Sequence, residues 1–392
     1  MKKIILFIFV FTLTINHINA QWQQTSLDNT QVYSLAISGN NIFAGTFYGS
    51  GVYLSSNNGN NWTVVNTGLT STMIQSLAIS GNNIFAGTYN NGVYLSTDNG
   101  NNWTDMNTGL LDANIKALTI KGDTIFAGTN GGVYLSTNNG QNWAATSLSD
   151  TIAVLALVIK GDSIIAGTDG GVYLSTNNGI VWLTLNNGLP VNTSVYSLAI
   201  NGNNFIAGTD NGIYVSTNNG NNWIAENTGI ASTSIYSLVI SGNNIFAGTN
   251  NGVYFSSNNG QLWTLESNGL VNYIYVFSLA IKGDTIYAGT SKPGTSGGGV
   301  WKRPLSELTG IAEQYNYIND FSFYPNPVKN YITIKNSKET EINFYSIQGQ
   351  LIKTLTTNSN KTSVDVSAFP SGVYIIEVKT NESCLLKKFI KE

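Results

Sequence analysis

The residues able to act chemically are few, and their types exclude most kinds of catalysis. One histidine, His17, and one cysteine, Cys384, lie near opposite ends of the 392-residue chain. The long region between them therefore holds no Ser-His-Asp or Cys-His nucleophile, no disulfide and no ordinary zinc site. There is a single arginine, Arg303. Between Gln21 and Gly310 thirteen carboxylates stand against seven bases, a net of −6. That balance suits neither nucleic acid nor an anionic lipid surface. Two-carboxylate glycosidase chemistry stays formally open. Its best pair is Asp169 and Asp210, which follow the same Ala-Gly-Thr phrase and are expected to share a face. Asp123, Asp162 and Asp284 follow glycine in short turns, where turn chemistry accounts for them. No Asp-x-Asp-x-Asp loop for calcium occurs, and no metal or cofactor is expected.

Binding is better supplied than catalysis. The segments after Ala-Gly-Thr vary most and carry Phe47, Tyr48, Tyr89, Asn90, Asp169, Asp210 and Asn250. The longest, Ser291 to Gly299, adds Lys292. Equivalent positions at the start of another segment read Tyr33, Gln75, Lys116, Leu155, Tyr196, Tyr236 and Phe277. Aromatic rings beside amides suit the apolar faces and hydroxyls of sugars. The ligand site is therefore expected at Tyr33, Tyr196, Tyr236 and the variable segments. The plainer expectation is that these rings only pack neighbouring units together.

These residues must be positioned by a repeat. Ala-Gly-Thr recurs with its glycine at Gly45, Gly87, Gly128, Gly167, Gly208, Gly248 and Gly289, at spacings of 42, 41, 39, 41, 40 and 41. Seven copies with few insertions mean seven equivalent units. In the first, Val32–Ser38 alternates with period two, Gly39-Asn40-Asn41 turns the chain, and Ile42–Thr46 and Gly51–Ser55 follow. Trp62–Val65 makes a fourth strand. Charge is only 10% of the chain, while 42% is hydrophobic and 11% aromatic, too apolar for a solvated coil. Four antiparallel strands per unit without crossover helices give an all-β fold, a seven-bladed β-propeller. Units one to six end in a tryptophan strand and unit seven does not. Gln21-Trp22-Gln23-Gln24 precedes unit one, so an N-terminal strand is expected to complete the last blade and close the ring.

In six units the third and fourth strands are joined by Ser-x-Asn/Asp-x-Gly-x-x-Trp. The third residue is Asn57, Asp98, Asn138, Asn177, Asn218 or Asn258, and the tryptophan is Trp62, Trp103, Trp143, Trp182, Trp223 or Trp263. The amide or carboxylate is expected to bond its own turn, glycine to take a positive φ, and tryptophan to fill the space between blades. The motif resembles the Asp-box (BNR) repeat of sialidases and of many non-enzymatic propellers, with Asn replacing the usual Asp in five boxes. The resemblance implies hairpins that stabilise the fold away from any active centre. Sialidases hold their substrate with three arginines, and this chain has one, so the resemblance does not extend to that activity. The boxes also look like those of photosystem II assembly-factor propellers.

The chain ends read as export signals. Lys2 and Lys3, the apolar run Ile4–Ile15 and Ala20 form an expected signal peptide over residues 1–20. The propeller follows over 21–305 and a linker over 306–320. At 321–392 strands at Tyr331–Ile334, Ile342–Tyr345, Leu351–Leu355, Val373–Val378 and Leu385–Ile390 suggest a small C-terminal β-sandwich. Its Tyr324-Pro325-Asn326-Pro327, Ile347-Gln348-Gly349, Pro370-Ser371-Gly372-Val373-Tyr374 and terminal Lys387-Lys388-Phe389-Ile390-Lys391 resemble the type A sorting domain of type IX secretion, known from Bacteroidota. That implies the type IX machinery as a partner, removal of the domain, and a secreted or outer-surface product. The expected protein is a monomeric, non-catalytic binding or scaffold propeller with an extracellular glycan or protein ligand and no membrane span after signal cleavage. The alternative is a glycan-active hydrolase or lyase using carboxylates or tyrosines of the loop face.

Overall fold

The computed structural model describes residues 21–148, 151–271, 274–295, 297–309, 322–335, 340–346, 350–357, 359, 361–379 and 384–392. They belong to two units, divided between Thr309 and Gly310. The expected signal peptide, residues 310–320 of the expected linker and the turn at 347–349 lie outside the described residues.

The first unit contains seven four-stranded antiparallel sheets. Blade one runs Val32–Ser38, Asn41–Thr46, Val52–Ser55 and Thr63–Val64, and blades two to six repeat that order. Blade seven consists of Tyr275–Lys282, Thr285–Ser291 and Gly298–Pro304, completed by Gln23–Asp28 from the N-terminus. Gln23 pairs with Lys302 and Gln24 with Trp301, so the expected strand exchange is present. First strands of neighbouring blades lie against one another around the whole ring, including Tyr275–Lys282 against Val32–Ser38.

The repeated Ala-Gly-Thr sets the spacing between blades. A Cβ added to Gly45 would stand 2.6 Å from Ile74 Cγ2 of the next blade, and one on Gly289 would stand 2.7 Å from Val32 Cγ1 across the closing junction. Both distances are shorter than any real Cβ contact, so only glycine lets the blades approach. The threonine hydroxyl turns back to bond its own loop, as Thr168 Oγ1 does to Gly171 O at 2.9 Å.

Each hairpin tryptophan belongs to the junction with the preceding blade. The indole N–H donates to a main-chain carbonyl there: Trp103 to Val65 O at 2.7 Å, Trp143 to Met106 O at 2.7 Å, Trp223 to Leu185 O at 2.7 Å and Trp263 to Glu226 O at 3.0 Å. Trp62 and Trp182 differ. They are half-buried and donate to Thr25 Oγ1 and Thr146 Oγ1. In the hairpin itself Ser55 Oγ donates to Asn57 Oδ1 at 3.1 Å and accepts from Gly59 N at 2.9 Å, while Asn57 Oδ1 accepts from Asn61 N at 2.9 Å. The other five hairpins repeat this set. Positive φ falls on two consecutive residues, such as Asn58 at 58° and Gly59 at 79°, not on glycine alone. In blade two Asp98 also accepts from Asn102, whose side chain is the main cause holding the carboxyl below the usual range.

The turn carboxylates have wider roles than turn chemistry. Asp162 pairs with Lys121 of the preceding blade, Asp123 accepts from Asn139 Nδ2, and Asp284 accepts from Ser306 N and Oγ. This last contact begins a short helix, Ser306–Thr309, within the first unit, so four residues expected in the linker are structured.

The second unit is a sandwich. One sheet orders Ser322–Tyr324, Tyr331–Lys335 and Lys361–Asp365, and the other Leu351–Thr357, Thr340–Ser346, Gly372–Lys379 and Cys384–Lys391. Ile332, Ile334, Ile342, Phe344, Ile376 and Phe389 meet in its fully buried core.

Candidate functional site

The candidate site begins with an irregularity repeated in every blade. Val32 pairs with Thr46 and Ser34 with Gly45, which leaves Tyr33 between them without a partner. The same one-residue slip leaves out Gln75, Lys116, Leu155, Tyr196, Tyr236 and Phe277. The residue before each slip, Val32 or its equivalent, is fully buried and fixed beside the Ala-Gly-Thr glycine of the preceding blade. The extra residue is then re-aimed by the bulge. All seven bulge residues are half-buried.

The aromatic members touch from blade to blade. Tyr196 meets Tyr236 at 5.5 Å between ring centroids, Tyr236 meets Phe277 at 4.8 Å, and Phe277 stacks on Tyr33 at 4.3 Å. Tyr33 stacks on Phe47 at 4.7 Å, and Tyr48 and Tyr89 both set their rings edge-on to Phe47, at 5.3 and 5.5 Å. Tyr275 packs on Tyr236 and Phe277. Eight rings thus form one arc over blades five, six, seven, one and two. Its exposed end is Tyr48, 66% accessible, with Tyr89 beside it.

Burial is the main reason the Tyr33, Tyr196 and Tyr236 hydroxyls lie above the usual phenol range, and Asp210 adds to it at Tyr196. They therefore stay protonated at neutral pH and can donate hydrogen bonds.

A pocket of about 360 Å³ adjoins the arc and is lined by Gln31, Tyr48, Gly294 and Thr295. Gln31 Nε2 donates to Thr295 O at 2.5 Å, tying blade one to the long loop of blade seven. Lys292 is exposed on that loop, and its main-chain N bonds Gly297 O at 2.8 Å.

The structure joins Tyr33, Phe47, Tyr48, Tyr89, Tyr196 and Tyr236 in one cluster. The polar candidates behave differently. Asp169 Oδ1 accepts from Ala153 N and Asp210 Oδ1 from Ser194 N, each at 3.2 Å, and Asn250 Oδ1 accepts from Ser232 Oγ. All three hold the approach to their own first strand. Asn90 is exposed beside Tyr89. Tyr275, Phe277, Gln31 and Thr295 are additions to the expected site. No group of three or more His, Cys, Asp or Glu able to hold a metal occurs among the described residues.

The single arginine lies elsewhere. Arg303 is 3% accessible, bonds Glu266 O and Oε2 at 3.3 and 3.2 Å, and sits 3.8 Å from Glu307 Oε2. It joins blade seven to blade six and to the short helix. Arg303→Ala is expected to cost about 2–4 kcal/mol, since it strands two partly exposed carboxylates and leaves a cavity. Urea denaturation measures this, with ligand binding by the folded fraction unchanged.

Residues 322–392 match the secretion system C-terminal sorting domain, and residues 93–204 match the DUF6242 β-propeller domain. No curated protein matches the chain. Among solved structures it is similar to PorZ of Porphyromonas gingivalis, an essential surface component of the type IX secretion system. That likeness has 17% identity and a TM-score of 0.55, and covers 93% of this chain and 59% of PorZ. YCF48 of Cyanidioschyzon merolae gives 14% identity and a TM-score of 0.56, covering 74% of this chain and 99% of YCF48. The GH74 xyloglucanase of Xanthomonas campestris gives 13% and 0.58, covering 74% and 54%. The chain thus spans little more than half of PorZ and of the xyloglucanase. These likenesses show the fold. No helix among the described residues is long and apolar enough to cross a membrane. The chain is an all-β propeller protein with a type IX sorting tail, secreted or displayed on the outer surface.

Proposed function

We propose that this propeller is a non-catalytic binding protein whose ligand is carbohydrate. The observation that carries the reading is the continuous aromatic arc at the bulge positions, which ends in an exposed tyrosine pair beside a pocket. Such an arc offers ring faces for sugar C–H surfaces and protonated hydroxyls for sugar oxygens. Tyrosines whose hydroxyls lie above the usual range are poor nucleophiles at neutral pH, and the two best carboxylates are bound to main-chain N–H groups. Both features favour binding over hydrolysis. The hairpins fit the Asp-box pattern, with serine, Asn/Asp and glycine bonded as one turn in blades one to six. Met1–Ala20 fits a signal peptide that starts export.

A glycan array probed with the exported protein, with released products assayed alongside, tests this reading. Retention without products is expected, weakened about tenfold by Tyr48→Ala or Tyr196→Ala. Product release would establish an enzyme. Silence on the array would point to a protein ligand.

A further inference from the structure

The junction of blades three and four departs from the repeat in three ways, and the departures meet. In five of the six tryptophan hairpins the two residues before the tryptophan include an amide side chain: Asn60-Asn61, Asn101-Asn102, Gln141-Asn142, Asn221-Asn222 and Gln261-Leu262. Blade four has Ile180-Val181 there, 72% and 51% accessible, and Leu183 just beyond is exposed as well. Facing this hairpin, the outer strand of blade three is Ala144–Ala145. Its first position holds a larger residue in the other blades, Thr63, Thr104, Leu183, Ile224 or Thr264. Ser147 completes the set. The equivalent Asn66, Asn107, Asn186 and Asn227 side chains accept from a main-chain N–H of their own blade. Ser147 Oγ instead donates to Gly179 O at 3.2 Å and Ile180 O at 2.7 Å, which pins the blade-four hairpin against blade three. Between Ala144–Ala145 and Asn178–Ile180 this leaves a groove of about 300 Å³, and no lining residue is charged. Single exposed aliphatic residues are ordinary, but several gathered beside an uncharged groove mark a contact surface.

We propose that this rim groove pairs two copies of the chain about a two-fold axis. The Ile180-Val181 hairpin of each copy enters the groove of the other. Bump and groove lie side by side on one face, and a two-fold axis needs a surface complementary to itself. An unrelated partner would need only the bump or only the groove. Charge points the same way. Between Gln21 and Gly310 each copy carries a net −6, so two copies approach best where neither presents a charge. Three aliphatic side chains fall well short of the roughly 800 Å² that a standard interface buries on each partner. The dimer is therefore weak, with a Kd on the order of 0.1 mM. It replaces the monomer expected from the sequence.

Sedimentation equilibrium of the exported protein, from micromolar to millimolar concentration, tests this. A reversible monomer–dimer equilibrium is expected. Ile180→Asn with Val181→Asn gives blade four the residues that blades one, two and five carry, so the fold is kept, and it should weaken the dimer about tenfold or more. Ala144→Ile supplies the residue of blade five, Ile224, and should do the same by filling the groove. Val64→Asn removes an equally exposed aliphatic side chain from the outer strand of blade one and should leave the dimer unchanged. A protein that stays monomeric throughout overturns the pairing and leaves the groove to another partner. A dimer that survives both groove variants, or that Val64→Asn weakens as much, also overturns it.

Discussion

Removal of Gln21–Asp28 is expected to abolish the cooperative thermal transition of the propeller, and adding the same segment as a peptide should restore it. Gln23–Asp28 is the outer strand of blade seven, and its loss bares the edge of Gly298–Pro304. Trp22 is 2% accessible and its indole donates to Glu266 O at 2.6 Å, so its removal also leaves that carbonyl without this partner. Leu27 is buried with Val32, Ile42, Tyr287 and Val300 at the closing junction. Losing two such side chains costs roughly 5–10 kcal/mol, comparable with the whole stability of a domain. Differential scanning calorimetry of the truncated chain, with and without the peptide, is the measurement. A truncated chain that melts at the temperature of the full one contradicts a ring held by this strand. Polar ties across the same junction would remain: Lys282 donates to Asn40 O and Asn58 Oδ1, both at 2.7 Å, Lys302 to Asn58 O and Asn60 Oδ1, and Gln31 to Thr295 O. Such polar bonds contribute too little to replace the strand.

Deletion of residues 322–392 is expected to stop delivery to the surface almost completely while leaving a folded propeller inside the cell envelope. The segment matches the sorting domain along its whole length. Its core, from Val328 to Phe389, is made from its own residues, and the propeller clusters are made from residues before Thr309. Each unit thus carries the burial that folds it. Immunoblots of medium, surface-exposed and internal fractions, with protease protection of the internal pool, measure the outcome. Normal surface delivery without the segment would show that some other part of the chain carries the address.

The seven-fold architecture was legible because it rests on short-range chemistry. Ala-Gly-Thr marks each close approach of blades, and the tryptophan absent from unit seven pointed to Trp22 at the other end. The bulges left no such mark. A slip of one residue at Tyr33 or Lys116 changes which face a side chain takes without changing the alternation around it. The aromatic cluster was therefore visible as a set of equivalent positions but not as rings in contact. Tyr275 escaped because it lies two residues ahead of the repeated position, where only the packing of blade six against blade seven brings it to Tyr236. Asp169 and Asp210 read as loop-face groups because sequence places the loop, whereas the direction of each carboxylate is set by the main-chain N–H it meets. Trp62 and Trp182 are half-buried and meet the hydroxyls of Thr25 and Thr146 in place of the carbonyl used elsewhere, a difference the repeated motif does not carry.

The strand exchange also ties folding to delivery. Synthesis and export run from the N-terminus, so the strand that finishes the last blade arrives first and its partner arrives last of the propeller. Gln24 meets Gly298, 274 positions later in the chain. Forming so distant a contact is slow, although its entropic cost rises only with the logarithm of the separation. Until Gly298–Pro304 appears, Gln23–Asp28 has no strand to pair with, Leu27 lacks Val300, and the ring stays open to proteases. A closed ring is therefore a receipt for a complete body: a chain cut short anywhere before blade seven cannot shut, and the cell can tell it from a finished one by digestion alone.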